Sequence, residues 1–140
     1  MALRKDAKTK LLESVPLFAG CSRKELGEVA LIADEMDFRE GKTLITEGER
    51  GREFFVLVDG TAKVTRGGRR VRELSAGSFF GEIALVSDVP RTATVTSTSP
   101  VRVLVITDRA FEGLMRRVPS IAIKVLAALA ERVEPASSAP

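Results

Sequence analysis

Histidine, tryptophan and tyrosine are all absent from the 140 residues, and Cys21 is the single cysteine. Without an imidazole there is no usual general base for a serine or cysteine nucleophile and no histidine-based metal site. One cysteine cannot close an internal disulfide, so a reducing cytoplasm is the expected compartment. Cys21 itself, with no catalytic base evident beside it, reads as a passive small residue. No run approaches the roughly 18 apolar residues that a membrane-spanning helix needs, and no apolar segment of the secretory type follows the basic N-terminus. Charge is not one-sided: 22 basic and 19 acidic residues leave a net charge of +3. They are interleaved, without the basic runs and spaced aromatics that grip nucleic acid, so no nucleic-acid partner is expected.

The remaining composition, 44% hydrophobic and 29% charged, is that of one globular domain. Residues 1–134 are expected to form it, with Pro135 to Pro140 as a disordered tail rich in Pro, Ala and Ser. Ala7 to Ser14 predicts a short helix that stops before Pro16. Ser22-Arg23-Lys24-Glu25 has the spacing of a capping box, and Leu26, Val29, Ala30 and Ala33 follow on one helical face, predicting a helix over Ser22–Ala33. From about residue 36 to 107 the pattern turns to short β-rich runs broken by glycines. Phe54–Val58 and Ala62–Arg66 flank Asp59-Gly60, which predicts a hairpin. Gly67-Gly68 predicts a second turn leading to Val71–Leu74. Thr92–Ser97 and Val101–Thr107 are two more strand-like runs around Pro100. Many short strands with regular turns predict an antiparallel sandwich or barrel. Two closing helices follow over about 108–134: one capped by Asp108 and carrying Phe111, Leu114, Met115 and Val118, the other, Ser120–Val133, carrying Ile121, Val125, Leu126, Leu129 and Val133.

One segment carries the chemistry: Phe79-Phe80-Gly81-Glu82-Ile83-Ala84-Leu85-Val86-Ser87-Asp88-Val89-Pro90-Arg91-Thr92-Ala93-Thr94-Val95. A β run ends at a glycine, one short helical turn follows, and a Pro-Arg loop leads into a β-branched strand. Gly81 permits a sharp turn and close approach of a ligand. The first amides of a short helix lack internal partners and attract anions, and small Ala84 leaves room for a phosphate beside them. Arg91 offers a planar fork of donors that matches phosphate oxygens. Glu82 would repel a phosphate but can accept hydrogen bonds from a sugar hydroxyl. Together these residues point to a sugar phosphate of one negative charge with an adjacent free hydroxyl.

The same segment closely resembles the phosphate-binding cassette of the cyclic nucleotide-binding domain family, and the resemblance extends from about Val15 to Val133. Relatives include the regulatory subunits of cAMP-dependent kinase, cyclic-nucleotide-gated channels and bacterial catabolite activator proteins. It implies a jelly-roll (double-stranded β-helix) with N-terminal helices, a short cassette helix and two C-terminal helices. It also implies that Glu82 binds the ribose 2′-hydroxyl. The backbone at Ile83 and Ala84, with the Arg91 side chain, would hold the cyclic phosphate, while Gly81 shapes the loop and Ala93 adds a backbone contact. Val71, Leu74 and Phe79 are wall candidates for the base. Thr92 lies near the base, either as an ordinary strand residue or as a hydroxyl that reaches a guanine amino group. The implied ligand is cAMP, with cGMP as the alternative, and no metal is called for.

Such domains are sensors rather than enzymes: ligand binding moves the helices after the barrel, with Leu85 and Phe111 as coupling candidates. Several relatives cover the base with an aromatic lid, and no aromatic lies beyond Phe111. Leu126, Leu129, Val133, Lys124 or Arg132 is then the lid candidate. The output partner would be a protein effector or a second copy docking through the C-terminal helices. Met1 and the short tail favour a stand-alone sensor over a piece of a larger regulator. One of Phe79 and Phe80 faces inward. Arg50, Arg52, Arg69, Arg70 and Arg72 read as a solvated face, although one arginine could tether a cassette carboxylate. Two rival classes are a cupin-type enzyme, which the missing histidines disfavour, and a non-binding interaction module, which the Gly81, Glu82 and Arg91 set disfavours.

Overall fold

The computed structural model describes residues 3–138, and side chains through Glu131. It divides into two compact units, residues 33–108 and a second unit formed by both chain ends, 1–32 and 109–140.

The first unit contains eight strands: β1 (Asp34–Phe38), β2 (Thr43–Ile45), β3 (Glu53–Asp59), β4 (Ala62–Arg66), β5 (Arg69–Leu74), β6 (Phe79–Phe80), β7 (Thr94–Ser97) and β8 (Val101–Thr107). They form two antiparallel four-stranded sheets, ordered β1-β8-β3-β6 and β2-β7-β4-β5. The expected jelly-roll is therefore present as two facing sheets rather than as a closed barrel. Alternate residues of β8 (Val101, Val103, Val105), β3 (Phe55, Leu57) and β4 (Ala62, Val64) meet Leu74, Phe80, Ala93 and Val95 in one core cluster, as the two-residue period of a strand dictates. Phe80 is the inward member of the Phe79-Phe80 pair, stacked on Phe55 with ring centroids 5.0 Å apart.

Asp59-Gly60 does not make a hairpin. β3 pairs with β8 and β6, while β4 pairs with β5 and β7, so the chain crosses from one sheet to the other at this point. Gly60 has φ +94, and a Cβ there would lie 2.3 Å from the Pro100 carbonyl oxygen. The glycine is needed for close passage beneath the neighbouring connection, not for a two-residue turn. The true hairpin is Gly67-Gly68. Both glycines have positive φ, +59 and +79, and Arg66 faces Arg69 across the loop. That is the twist-compatible geometry of a two-residue β-turn. Val64 faces Arg72 and Thr65 faces Arg70, which leaves Val71 as the extra residue of a β-bulge.

The second unit holds α1 (Lys5–Glu13), a 3-10 turn (Pro16–Phe18), α2 (Arg23–Leu31), α3 from Arg109 onward (Asp108–Arg117) and α4 (Pro119–Ser138). The capping box is complete: the Glu25 amide donates to Ser22 Oγ (3.2 Å), and the Ser22 amide donates to Glu25 Oε1 (2.8 Å). The same carboxylate accepts from Ser120 Oγ (2.6 Å) and from Lys124 Nζ on α4. Phe18 and Phe111 pack with centroids 6.2 Å apart, while Leu12, Val29, Leu114 and Ile121 are fully buried. Helix α4 continues through residues 135–138, where the composition predicts a disordered tail; residues 139 and 140 lie outside the described residues. Asp108 is the first residue of α3, and its carboxylate accepts from Arg52 Nη1 at 3.4 Å. Among the described residues no helix is long and apolar enough to cross a membrane.

Candidate functional site

β6 ends at Gly81, whose φ of +80 reverses the chain into a 3-10 turn over Glu82–Leu85. A side chain at position 81 would be strained by that φ and would also meet Arg91 Nη1 at 2.7 Å and the Glu53 carbonyl oxygen at 2.9 Å. Glycine is thus required twice over. Ala84 and Leu85 face inward, whereas Ile83 is 47% exposed. The Ala84 amide, expected among the outward donors, instead donates to the Gly81 carbonyl (3.1 Å), and the Val86 and Ser87 amides both donate to Ile83 O.

Arg91 is the centre of the site. It is 7% exposed, an unusual burial for a cation, which ordinarily requires paired charge or full hydrogen bonding. Nη2 donates to Glu53 O (2.6 Å) and Nη1 to Gly81 O (3.3 Å). Its Nε is buried with no hydrogen-bond partner among the described residues. Burial pushes the guanidinium below the ordinary arginine value, opposed by the nearby Glu53 charge; the group stays cationic at neutral pH, since arginine is not deprotonated in proteins. Its main chain is fixed as well. The Arg91 amide donates to Glu49 O (2.8 Å), and the Gly48 amide donates to Arg91 O (2.8 Å). Arg50 and Pro90 form a β-bridge, and Arg50 pairs with Asp88 at 2.6 Å. An arginine does tether a cassette carboxylate, and it is Arg50; both side chains are largely exposed, so the pair contributes little by itself.

Glu82 and Gly81 are half-buried and lie in the same turn. Ala93 is buried in the core at the start of the strand segment. Thr92 is exposed, and its carbonyl accepts from Arg66 Nε (3.1 Å). The three wall candidates do not converge. Leu74 belongs to the intersheet core, Phe79 packs against Phe54 at 6.2 Å, and Val71, carried on the bulge, is 51% exposed. Periodicity could not place Val71 relative to Leu74, because a bulge in β5 reverses the facing of the residues beyond it. Lys124, a lid candidate, is bound to Glu25, and Leu126 is exposed; the side chains of Arg132 and Val133 lie outside the described residues.

Within the segment 48–53 the sequence points only to Arg50 and Arg52, as arginines that could tether a cassette carboxylate; the parts played by Gly48, Glu49, Gly51 and Glu53 have no local signal beyond the Gly48-Glu49-Arg50-Gly51 break. A groove of about 760 Å³ runs between α1 and α2, lined by interleaved Lys5, Lys10, Arg23, Lys24, Asp6, Glu13 and Glu28. It mixes both charge signs at an open surface, whereas the buried cation lies in the cassette.

Known proteins share this chain's sequence pattern and fold. The cyclic nucleotide-binding domain family model matches residues 35–118. A cAMP-dependent protein kinase regulatory subunit from Mycosarcoma maydis is 42% identical over 118 residues, covering 76% of this chain and 22% of that protein. The chain therefore spans about a fifth of that relative. Among solved structures, the N-terminal domain of a transcriptional regulator from Streptomyces coelicolor A3(2) superposes with a TM-score of 0.84 at 28% identity, covering 92% of this chain and 96% of that one. The regulatory domain of Toxoplasma gondii PKA, solved with cAMP, gives 0.74 at 26% identity, covering 94% and 50%.

Proposed function

The chain belongs to the cyclic nucleotide-binding domain family, and on that premise we propose that it is a cAMP sensor that acts by changing the position of its C-terminal helices rather than by catalysis. The single observation that carries the ligand assignment is Arg91. A buried guanidinium, with two donors tied to carbonyl oxygens and a third buried donor unsatisfied, fits a small monoanion. A cyclic phosphodiester supplies one negative charge and acceptor oxygens without the second charge of a terminal phosphate. Glu82, one residue after the turn glycine, takes the ribose 2′-hydroxyl as a hydrogen-bond acceptor. The Ile83 amide follows it in the same turn. The Ala84 amide is already engaged with Gly81 O, so the arginine is the chief phosphate holder.

The choice of cAMP rests on the kinase regulatory subunit from M. maydis and the cAMP complex of the T. gondii domain. The exposed position of Thr92 keeps cGMP as the second reading. The buried, unsatisfied arginine donor supports an anion-holding site over both rival classes. Ligand binding shifts a pre-existing equilibrium of the helices after β8, by as much as the ligand's affinities for the two arrangements differ.

Isothermal calorimetry with cAMP tests the assignment. Arg91→Ala and Glu82→Ala should each weaken binding about tenfold or more, since each removes charge-assisted hydrogen bonds to the ligand; unchanged affinity in both variants would refute it. Thermal-shift measurements with cAMP, cGMP and AMP then rank the ligands, because a ligand at one hundred times its dissociation constant adds about 2.7 kcal/mol of stability. A stronger shift with AMP than with either cyclic nucleotide would exclude a cyclic-phosphate site.

A further inference from the structure

Gly51 lies outside the cassette, forty residues before Arg91, yet the Arg91 guanidinium occupies the space that its side chain would need. A Cβ at position 51 would lie 1.8 Å from Arg91 Nε, 2.0 Å from Cζ and 2.3 Å from Nη2. These distances are far inside van der Waals contact, and the atoms struck are the head of the arginine, which is itself pinned through Glu53 O and Gly81 O. Gly51 is not among the glycines with positive φ, so its backbone conformation is open to an L side chain and only space forbids one. Gly81 differs, because its φ of +80 would strain any replacement whatever its neighbours.

We infer that Gly51 is the positioning residue of the anion site: its missing side chain is the slot in which the Arg91 guanidinium lies, and any larger residue there turns the fork out of register. The 48–53 segment is then the second half of the site. It accepts one arm of the fork at Glu53 O, brackets the Arg91 main chain through Gly48 and Glu49, and leaves room for the fork at Gly51. The ligand part of this inference rests on the cyclic-nucleotide reading above; the steric part does not.

A double-mutant cycle separates the two. Gly51→Ala, Arg91→Ala and the combined variant are compared with the unmodified chain by cAMP calorimetry and by thermal unfolding. Gly51→Ala should weaken cAMP binding about tenfold or more, as expected for lost charge-assisted contacts. In the Arg91→Ala background the same change should cost neither affinity nor melting temperature, because the clashing group is gone. If Gly51→Ala alone fails to fold while the combined variant folds, the clash is confirmed. If both fail, or if the glycine substitution lowers the melting temperature equally in both backgrounds, the glycine serves its own backbone and the inference is wrong. Wild-type affinity in Gly51→Ala overturns it as well. Should the unmodified chain bind no cyclic nucleotide, the ligand reading fails, and the melting-temperature coupling still decides the steric claim.

Discussion

Three donors converge on the Glu25 carboxylate: the Ser22 amide, Ser120 Oγ and Lys124 Nζ. Hydrogen bonding from Lys124, then from Ser120 and Ser22, pulls the carboxyl from its ordinary 4.5 down to about 2. A depressed carboxylate stabilises the fold fully above its unfolded value and loses that contribution as pH falls through the folded one. Between about pH 4.5 and about 2, the unmodified chain should therefore lose more stability than Glu25→Gln, with the two melting curves converging at the acid end. Parallel curves over that range would show that the carboxylate is not engaged as described. The capping-box half of this cluster is readable from four consecutive residues. Its α4 half, about a hundred residues away, is not, and Lys124 read as a lid candidate because only folding brings it to α2. The same proximity explains the quiet cysteine: burial, then the Glu25 charge, push the Cys21 thiol up, against the opposing effect of Lys124, which disfavours the reactive thiolate.

Among the elements, two glycine turns that look alike in sequence do different work. Gly67 has open space around its missing side chain, whereas Gly60 lies beneath the Pro100 carbonyl. Asparagine tolerates positive φ better than other side chains. Gly67→Asn should accordingly change stability by less than about 1 kcal/mol, while Gly60→Asn should cost about 2 kcal/mol or more through the added clash. Denaturant unfolding measures both, and equal costs would contradict the crossover geometry. The existence of these strands was legible from their β-branched runs, since a two-residue period is a local property. Their partners were not: whether Ala62–Arg66 returns beside β3 or crosses to the other sheet is decided by β8 and β7, some forty residues later. The cassette was the most legible element, because its glycine, its turn and its arginine lie in one short stretch of the chain. The slot for that arginine was illegible, because it comes from a distant loop.

At the level of the whole molecule, the cassette unit is one continuous stretch, while the helical unit joins both ends of the chain. If cAMP shifts the equilibrium of the C-terminal helices, amide hydrogen exchange over residues 119–131 should change by at least severalfold on saturation with cAMP, although those residues lie outside the cassette. Exchange unchanged there, with the nucleotide demonstrably bound, would make the domain a binder without a helix response. The Arg91 backbone is bracketed on both sides by 48–49, and its fork is held by Glu53 O and Gly81 O against Gly51. A long, flexible side chain ordinarily surrenders about 2 kcal/mol of rotamer freedom when it is immobilised. Here the protein's own carbonyl oxygens and main chain supply that ordering, so on the proposed cyclic-nucleotide reading, changes at the hydroxyl-facing and base-facing positions should retune affinity and selectivity without disturbing the hold on the phosphate.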